Sequence, residues 1–131
     1  MQKTLTVTKR KDSTLIELTI VIAIIGLVTA IVAPRLTRIR ERAQVAAMKW
    51  DLRHLRTAEE YYLLENQRYS TNLAKSYTVS ADNEMPRITL TPDGWRASIR
   101  RRNTTLICTV FVGSTPLLPA SKEGTPACLK A

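Results

Sequence analysis

The chain has 131 residues, 20 Lys and Arg against 11 Asp and Glu, and a formal net charge of +9. This length suits one small domain, and the sequence contains no G-x-S-x-G, no P-loop and no Cys/His spacing typical of zinc. We therefore expect no enzyme activity, no cofactor and no bound metal. Four of the cations lie in the first eleven residues, so the remainder is only moderately basic and its charge does not by itself indicate a nucleic-acid partner.

The first predicted element is the segment "RKDSTLIELTIVIAIIGLVTAIVAPRL", residues 10–36, which contains one carboxylate, Glu17, just inside its apolar run. The 16 uncharged residues 18–33 extend about 24 Å as a helix, whereas the hydrocarbon layer of a membrane is about 30 Å thick. A helix that begins at Ser13 covers the full thickness and places Glu17 at the membrane edge or inside it. Unlike a cleaved secretory signal, the segment continues into a strong helical pattern, which predicts a membrane-spanning helix.

The orientation of this helix is not decided by the basic residues, because four precede it and four follow it. The two cysteines lie far along the chain, at Cys108 and Cys128, outside any Cys/His cluster. An isolated pair in a small exported domain is most simply a disulfide, which needs an oxidising compartment. We therefore expect the N-terminus in the cytoplasm and the C-terminal part outside.

Residues 35–65 contain no Gly or Pro and are rich in helix-forming residues, so one long helix is predicted to continue beyond Pro34. At 100° per residue this part of the helix has two apolar faces and a basic stripe, which consists of Arg35, Arg38, Arg42, Lys49, Arg53 and Arg56. The broad face contains Leu36, Ile39, Ala43, Ala46, Ala47, Trp50, Ala58 and Tyr61, and the narrow one contains Met48, Leu52, Leu55 and Tyr62. Two apolar faces exceed what one small sheet covers, which indicates a second partner such as a neighbouring subunit.

The remaining residues are rich in Thr, Ser, Val and Ile and predict an antiparallel meander. The predicted strands are residues 76–80, 87–91, 95–100 and 105–112, with a hairpin turn at "TPDGW". The tail after residue 112 contains three prolines and two glycines before Cys128 and is predicted to be a loop closed by the disulfide. The fold class is therefore α+β: a long N-terminal helix packed on a small antiparallel sheet.

The segment "STLIELTIVIAIIGLVTAIVAPRL" resembles the N-terminus of type IV pilins and of the related type II secretion pseudopilins. The T-L-I-E-L core, the apolar run with Gly26 and Pro34, and "EEYYLLENQRYSTNL" at 59–73 carry the resemblance. It implies four segments: a basic leader, 1–12; a membrane and assembly half of the helix, 13–34; a soluble half, 35–66; and a sheet with its C-terminal loop, 67–131.

The resemblance also implies processing by a prepilin peptidase, which cuts the leader on the cytoplasmic side and methylates the new N-terminus. Because the family's glutamate is fifth after the cut, Glu17 places this cut between Asp12 and Ser13. The family has Gly or Ala before the cut and usually Phe or another apolar residue after it. Asp12 adds bulk and a charge near the two catalytic carboxylates of the peptidase, which predicts hindered cleavage.

In similar filaments the N-terminal helices bundle in a core, and the glutamate pairs with the N-terminal amine of an adjacent subunit. The resemblance thus gives Glu17 a role in assembly register, since a lone carboxylate in hydrocarbon is costly. Gly26 and Pro34 bracket the stretch that loses regular helix on assembly in similar filaments, and both are poor helix formers. The implied partners are copies of this chain, related pilins, the peptidase, an inner-membrane assembly platform and, before assembly, the lipid bilayer.

The leading interpretation is a structural subunit of a type IV pilus, held in the inner membrane until it assembles into a surface filament. A type II secretion pseudopilin is the first alternative. A non-assembling single-span protein that presents a small external binding domain is the second. A nucleic-acid partner for the basic helix stripe and a calcium site at "SADNE", residues 80–84, are not expected.

Overall fold

The computed structural model describes the backbone of residues 10–131 and the side chains of residues 14–131. The described residues divide into two compact units, with the boundary between Arg40 and Glu41. Helix α1 runs from Arg10 to Asn66, and the second unit also contains a four-stranded sheet. The strands are β1 (Arg87–Thr91), β2 (Gly94–Arg100), β3 (Leu106–Val112) and β4 (Ala127–Lys130). Neighbouring strands are antiparallel in the order β1-β2-β3-β4, which confirms the α+β fold and the meander.

The β1–β2 hairpin forms at the predicted "TPDGW" turn, with Thr91 paired to Gly94 and only Pro92 and Asp93 between them. Proline at the first of these positions presets the backbone for the turn. Gly94 is required for a different reason, because a Cβ at this position would collide with the carbonyl oxygen of Val112. The close approach of β3 to the start of β2 therefore excludes any larger residue here.

The core lies between α1 and the inner face of the sheet. Met48, Leu52 and Leu55, spaced four and three residues apart, are fully buried on one face of the helix. They pack against the inward-facing positions of β2 and β3, which are Trp95, Ala97, Ile99, Cys108 and Val110. The narrow apolar face predicted from the sequence is thus the one that packs on the sheet.

Two parts of the predicted meander are wrong. Residues 76–80 form turns and irregular structure instead of a strand, because Tyr77 and Ser80 bond to Asp51 on α1 and not to a strand. The tail is also not loop throughout, since its end forms β4 and pairs with β3 from Leu106 to Thr109. The sheet therefore gains its fourth strand from the C-terminus and not from the segment that follows the helix.

The predicted disulfide between Cys108 and Cys128 is present, and it joins two residues that face each other directly in the β3–β4 pair. Their sequence separation is 20 residues, and the loop between them also folds onto the outer face of β3. Thr109 donates its hydroxyl hydrogen to the Leu117 carbonyl oxygen at 2.8 Å and accepts from the Ala120 amide at 3.1 Å. The disulfide thus fixes both the C-terminal strand and the loop that covers β3.

Reduction of this disulfide is expected to lower the free energy of unfolding by about 3 kcal/mol, because a closed loop of this length restricts the unfolded chain. Thermal unfolding of the detergent-solubilised full chain, followed by the fluorescence of buried Trp95, measures the effect. A Cys108→Ala/Cys128→Ala variant is the control, since its stability should not respond to the reductant. Equal stability of the native chain with and without reductant would contradict the prediction.

Candidate assembly surface

The N-terminal half of α1 presents an apolar surface with no protein cover. Between residues 15 and 32 every large hydrophobic side chain is exposed, by 46% to 67% of its area. Within the described residues this is the helix that is long and apolar enough to cross a membrane, and none of its apolar window is buried. Contiguous apolar surface on this scale requires lipid or protein around it.

The hydroxyl groups inside this surface are satisfied by the helix backbone. Thr19 donates to the Leu15 carbonyl oxygen at 2.7 Å, and Thr29 donates to the Ile25 carbonyl oxygen at 2.8 Å. A hydroxyl that bonds four residues back exposes no free donor to its surroundings. These threonines therefore do not weaken the apolar character of the segment, and Glu17 is the only ionisable group between residues 14 and 34.

Glu17 lies one turn into the apolar surface and is exposed, as are Leu15, Ile16 and Leu18 around it. It makes no ion pair or side-chain hydrogen bond within residues 14–131 of this single chain. A carboxylate on a surface that must be covered by apolar groups is costly unless a cation or a donor reaches it. The geometry thus leaves Glu17 available for a partner from outside the described chain.

Gly26 and Pro34, the two positions at which helix loss on assembly is predicted, lie within regular helix in the single chain. A Cβ added at Gly26 would meet nothing within 4 Å, so no packing contact of the isolated subunit requires glycine there. Pro34 lacks an amide hydrogen, and its carbonyl oxygen accepts the Thr37 hydroxyl at 2.9 Å. Asp12 and Ser13, the predicted cleavage residues, belong to α1, and their side chains lie outside the described ones.

The broad apolar face of the second half of α1 is largely uncovered, in contrast to the narrow face. Trp50 and Tyr61 expose 57% and 66% of their areas, and the rings of Trp50 and His54 contact each other with centroids 4.6 Å apart and planes tilted by 43°. The basic stripe beside this face is also solvated. Within residues 14–131, Arg56 is the one cation of this stripe that forms an ion pair, with Glu60 at 3.2 Å.

Two buried acids on α1 were not predicted from the sequence. Asp51 accepts hydrogen bonds from the Ser80 amide at 3.0 Å, the Ser80 hydroxyl at 2.7 Å and the Asn83 side-chain amide at 2.6 Å. Its backbone carbonyl accepts the Tyr77 hydroxyl at 2.7 Å, and burial followed by the charge of Asp51 raises the pKa of Tyr77. The sequence signal that could have identified Asp51 as buried is its spacing, three residues after Met48 and four before Leu55, which places it on the same face of the helix. The "SADNE" segment thus binds α1, and no group of three potential metal ligands occurs within residues 14–131.

Glu59, the second buried acid, holds the loop after the helix. Its Oε2 accepts the Ser70 amide at 2.9 Å, whereas its Oε1 is buried and has no partner among the described residues. Burial is the main cause that raises the pKa of Glu59 above its ordinary value, and the bond from Ser70 opposes this. Because the folded protein then binds this proton more tightly than the unfolded chain, the stabilisation is complete below about pH 4.5 and is lost as the pH rises through the folded pKa.

Glu59→Gln is expected to raise the free energy of unfolding at pH 7 by about 1 kcal/mol, because the amide removes a poorly solvated charge and keeps an acceptor for Ser70. It should also remove the loss of stability between pH 4.5 and 7. Thermal unfolding across this pH range measures both effects. Glu60→Gln is the matched control, since Glu60 is exposed and should change stability by less than about 1 kcal/mol. A destabilised Glu59→Gln at pH 7 would contradict the assignment.

A single helix with an exposed apolar N-terminal half that contains one carboxylate, and with a second half packed on an antiparallel meander that a disulfide fastens, defines a pilin-like α+β protein. The chain is similar to the type IV major pilin protein PilA of Myxococcus xanthus (strain DK1622), with 39% identity over 62 residues. This match covers 47% of the chain and 28% of that relative, so the chain spans well under two thirds of the relative's length. No family model and no solved structure matches. The resemblance to type IV pilins is thereby confirmed.

Proposed function

We propose that this chain is a structural subunit of a type IV pilus or a pilus-like filament and polymerises through its N-terminal helix. The observation that carries the proposal is the apolar surface of residues 15–32, which is entirely exposed and contains one unpaired carboxylate. In the precursor, lipid covers this surface. In the filament, the same surface of neighbouring subunits replaces the lipid. The apolar side chains therefore stay covered, and the subunits take fixed positions relative to one another.

Glu17 supplies the register of assembly in this proposal. Cleavage after Asp12 creates an amine at Ser13, and the amine of one subunit pairs with the Glu17 carboxylate of its neighbour. A subunit placed one step out of register leaves both charges unpaired in apolar surroundings, at a cost of several kcal/mol. The pairing therefore depends on cleavage, and Asp12 makes cleavage the slow step of maturation.

The exposed broad face of the second half of α1 supports a second contact between subunits. Trp50 and Tyr61 lie on the side of the helix that does not pack on the sheet, and both are exposed. Large aromatic side chains are characteristic of the buried centres of protein interfaces. Packing of this face on another subunit extends the filament contact along the whole helix.

A pilus is favoured over a secretion pseudopilus by the similarity to a major pilin and by the disulfide that closes the C-terminal loop. The precursor then crosses the inner membrane with its C-terminus outside, where the disulfide forms, and an assembly platform in that membrane extracts it into the filament. A non-assembling single-span protein is the alternative from a different class. In such a protein, neither the charge inside the span nor the uncovered aromatic face of α1 would have a function.

Mass spectrometry of the mature N-terminus tests the proposal. The chain is recovered from filaments sheared from cells and, separately, from the membrane fraction. We expect the sheared material to begin at a methylated Ser13 and the membrane fraction to contain an additional pool of uncut chain, because of Asp12. Sheared filaments that contain the chain with Met1 intact would contradict the processing step, and absence of the chain from sheared material would contradict the filament role.

A further inference from the structure

The two edges of the sheet, β1 and β4, differ in how well they are protected. β4 has only four residues, and one of them, Lys130, forms an ion pair with Glu41 of α1. A short edge strand with a charge resists pairing with another chain. On β1, by contrast, the residues that point to the inner face are Ile88 and Leu90, which carry no charge. The edge of β1 is therefore the one that is open to an added strand.

The strand register identifies which backbone groups of β1 are free. In an antiparallel ladder alternate residue pairs exchange both of their hydrogen bonds, and a two-residue turn is closed by such a pair. Thr91 and Gly94 close the turn here, so the odd-numbered residues of β1 direct their backbone groups to β2. Ile88 and Leu90 direct theirs away from the sheet. No hydrogen bond joins these outward amides and carbonyls to another residue in the described part of the chain.

Prolines bound this free stretch on both sides. Pro86 and Pro92 continue the alternation of Ile88 and Leu90, but proline has no amide hydrogen to donate. The free edge therefore suits a strand of the length of β1 itself, which is 5 residues. A short edge with a fixed register favours one specific segment over open-ended pairing between sheets.

A groove of about 670 Å³ lies beside the Leu90 end of this edge, between β1, its hairpin turn and the end of α1. The apolar and aromatic side chains that line it are those of Tyr62, Leu63, Tyr69, Leu90 and Pro92. Leu90 remains 46% exposed there, although it is paired with the buried Trp95. Directly paired residues point to the same face of a sheet, so alternate side chains of an added strand enter this groove. An apolar side chain at these positions covers Leu90 and the tyrosine rings.

Two unpaired cations indicate the charge of the added strand. Arg68 lines the groove, and Arg87 lies at the start of β1 on the opposite face. Neither guanidinium group forms an ion pair or a hydrogen bond within residues 14–131. Acidic side chains at the positions that alternate with the apolar ones therefore complement this site.

A second copy of the chain is a poor source of such a segment. Outside α1, three of the exposed acids are already bonded: Asp82 to Arg101, Asp93 to the Ser114 amide and Glu123 to the Gly113 amide. Only Glu84 remains without a side-chain partner among the exposed acids of residues 67–131. The added strand therefore comes from another protein.

We propose that the free edge of β1 binds an extended segment of another protein in which apolar and acidic residues alternate. The segment adds to the sheet as a fifth strand and places its apolar side chains in the groove. Hydrogen bonds to the backbone of Ile88 and Leu90 provide affinity, and the groove with its two arginines provides selectivity. The proposal does not depend on filament assembly, because every residue that it uses lies in the unit that begins at Glu41.

The test uses a fluorescent synthetic peptide of about seven residues that alternates valine and glutamate, with binding to the detergent-solubilised full chain measured by anisotropy. Two further peptides carry N-methyl groups, one on its valine amides and the other on its glutamate amides. Alternate amides of a strand point the same way, so only one of these sets faces β1. We expect that peptide alone to lose affinity, by about 10-fold or more, and its identity gives the strand direction. Equal affinities of the two methylated peptides, or no binding of the unmodified one, would overturn the proposal.

A pair of leucine variants tests the groove. Leu90→Ser should weaken binding of the unmodified peptide by about 5-fold, because it removes apolar area that the added strand covers. Leu129→Ser is the matched control, since Leu129 lies on the other edge strand and is exposed to a similar extent, 41% against 46%. It should bind as the native chain does, and equal losses in the two variants would overturn the placement at β1. Thermal unfolding of each variant confirms that it is folded.

Two further outcomes would overturn the choice of partner. A peptide that alternates valine and lysine should bind at least about 10-fold more weakly than the glutamate peptide, and equal binding would contradict an acidic partner. Release of a dimer of the chain by the peptide, detected by analytical ultracentrifugation, would identify a second copy as the occupant of the edge.

Discussion

Glu17→Ala is expected to leave the chain in the membrane but to reduce its incorporation into filaments at least 10-fold. The substitution makes the apolar segment more apolar, so membrane insertion keeps its driving force. It removes the one charge in residues 14–34 that can distinguish the correct axial register from neighbouring ones. A loss of about 1.4 kcal/mol per subunit contact already corresponds to a tenfold change in an equilibrium constant. Quantitative detection of the chain in sheared and membrane fractions measures the effect.

Thr19→Ala is the matched control for Glu17. Thr19 lies in the same apolar segment and is also polar, but its hydroxyl is satisfied internally by the Leu15 carbonyl oxygen at 2.7 Å. The variant should therefore assemble at the native level. Glu17→Gln separates charge from shape and should fail as Glu17→Ala does, because an amide does not pair with an ammonium group as a carboxylate does. Normal filaments from Glu17→Ala would contradict the proposed role of this residue.

Asp51→Ala is expected to lower the free energy of unfolding by about 4 kcal/mol. The carboxylate accepts three hydrogen bonds, and its loss leaves two donors of Ser80 and one of Asn83 without their partner in a buried or half-buried position. Each buried donor that loses its partner costs about 1–3 kcal/mol. Chemical denaturation of the full chain in detergent, followed by Trp95 fluorescence in a Trp50→Phe background, measures the change.

Asp82→Asn provides the comparison for Asp51, because asparagine tolerates the positive φ of 67° at this position. Its carboxylate lies 3.4 Å from the Arg101 guanidinium and its side chain is 68% exposed, so the expected change is below about 1 kcal/mol. The destabilisation caused by Asp51→Asn should be intermediate. The oxygen of the new amide still accepts a hydrogen bond, whereas its NH2 group faces donors and cannot accept from them. Equal effects of Asp51→Ala and Asp82→Asn would contradict the view that Asp51 fixes the segment between α1 and β1.

The features that could be predicted from the sequence depend on local patterns. The continuity of α1 follows from the absence of Gly and Pro in residues 35–65, the β1–β2 hairpin from Pro92 and Asp93, and the disulfide from the isolation of its two cysteines. For the helix and the hairpin the residues within a few positions decide the structure, whereas the disulfide was predictable because the chain has only two cysteines. The unpaired carboxylate in an apolar segment was visible for the same reason.

The features that were missed depend on partners distant in the chain. Residues 76–80 alternate as a strand does, but Asp51 competes for their hydrogen-bonding groups from 29 positions away. The four residues of β4 look like the end of a loop until the Cys108–Cys128 pair aligns them with β3. The choice between the two apolar faces of α1 was also open, because periodicity locates a face without saying what covers it.

The most direct test of the central claim is a helical reconstruction by electron cryomicroscopy of filaments sheared from cells that express this chain. The account predicts filaments in which α1 of this chain forms the core, with Glu17 beside the N-terminal amine of a neighbouring subunit. It would be contradicted if the chain remained a single-span protein in the membrane fraction and the filaments consisted of other subunits alone.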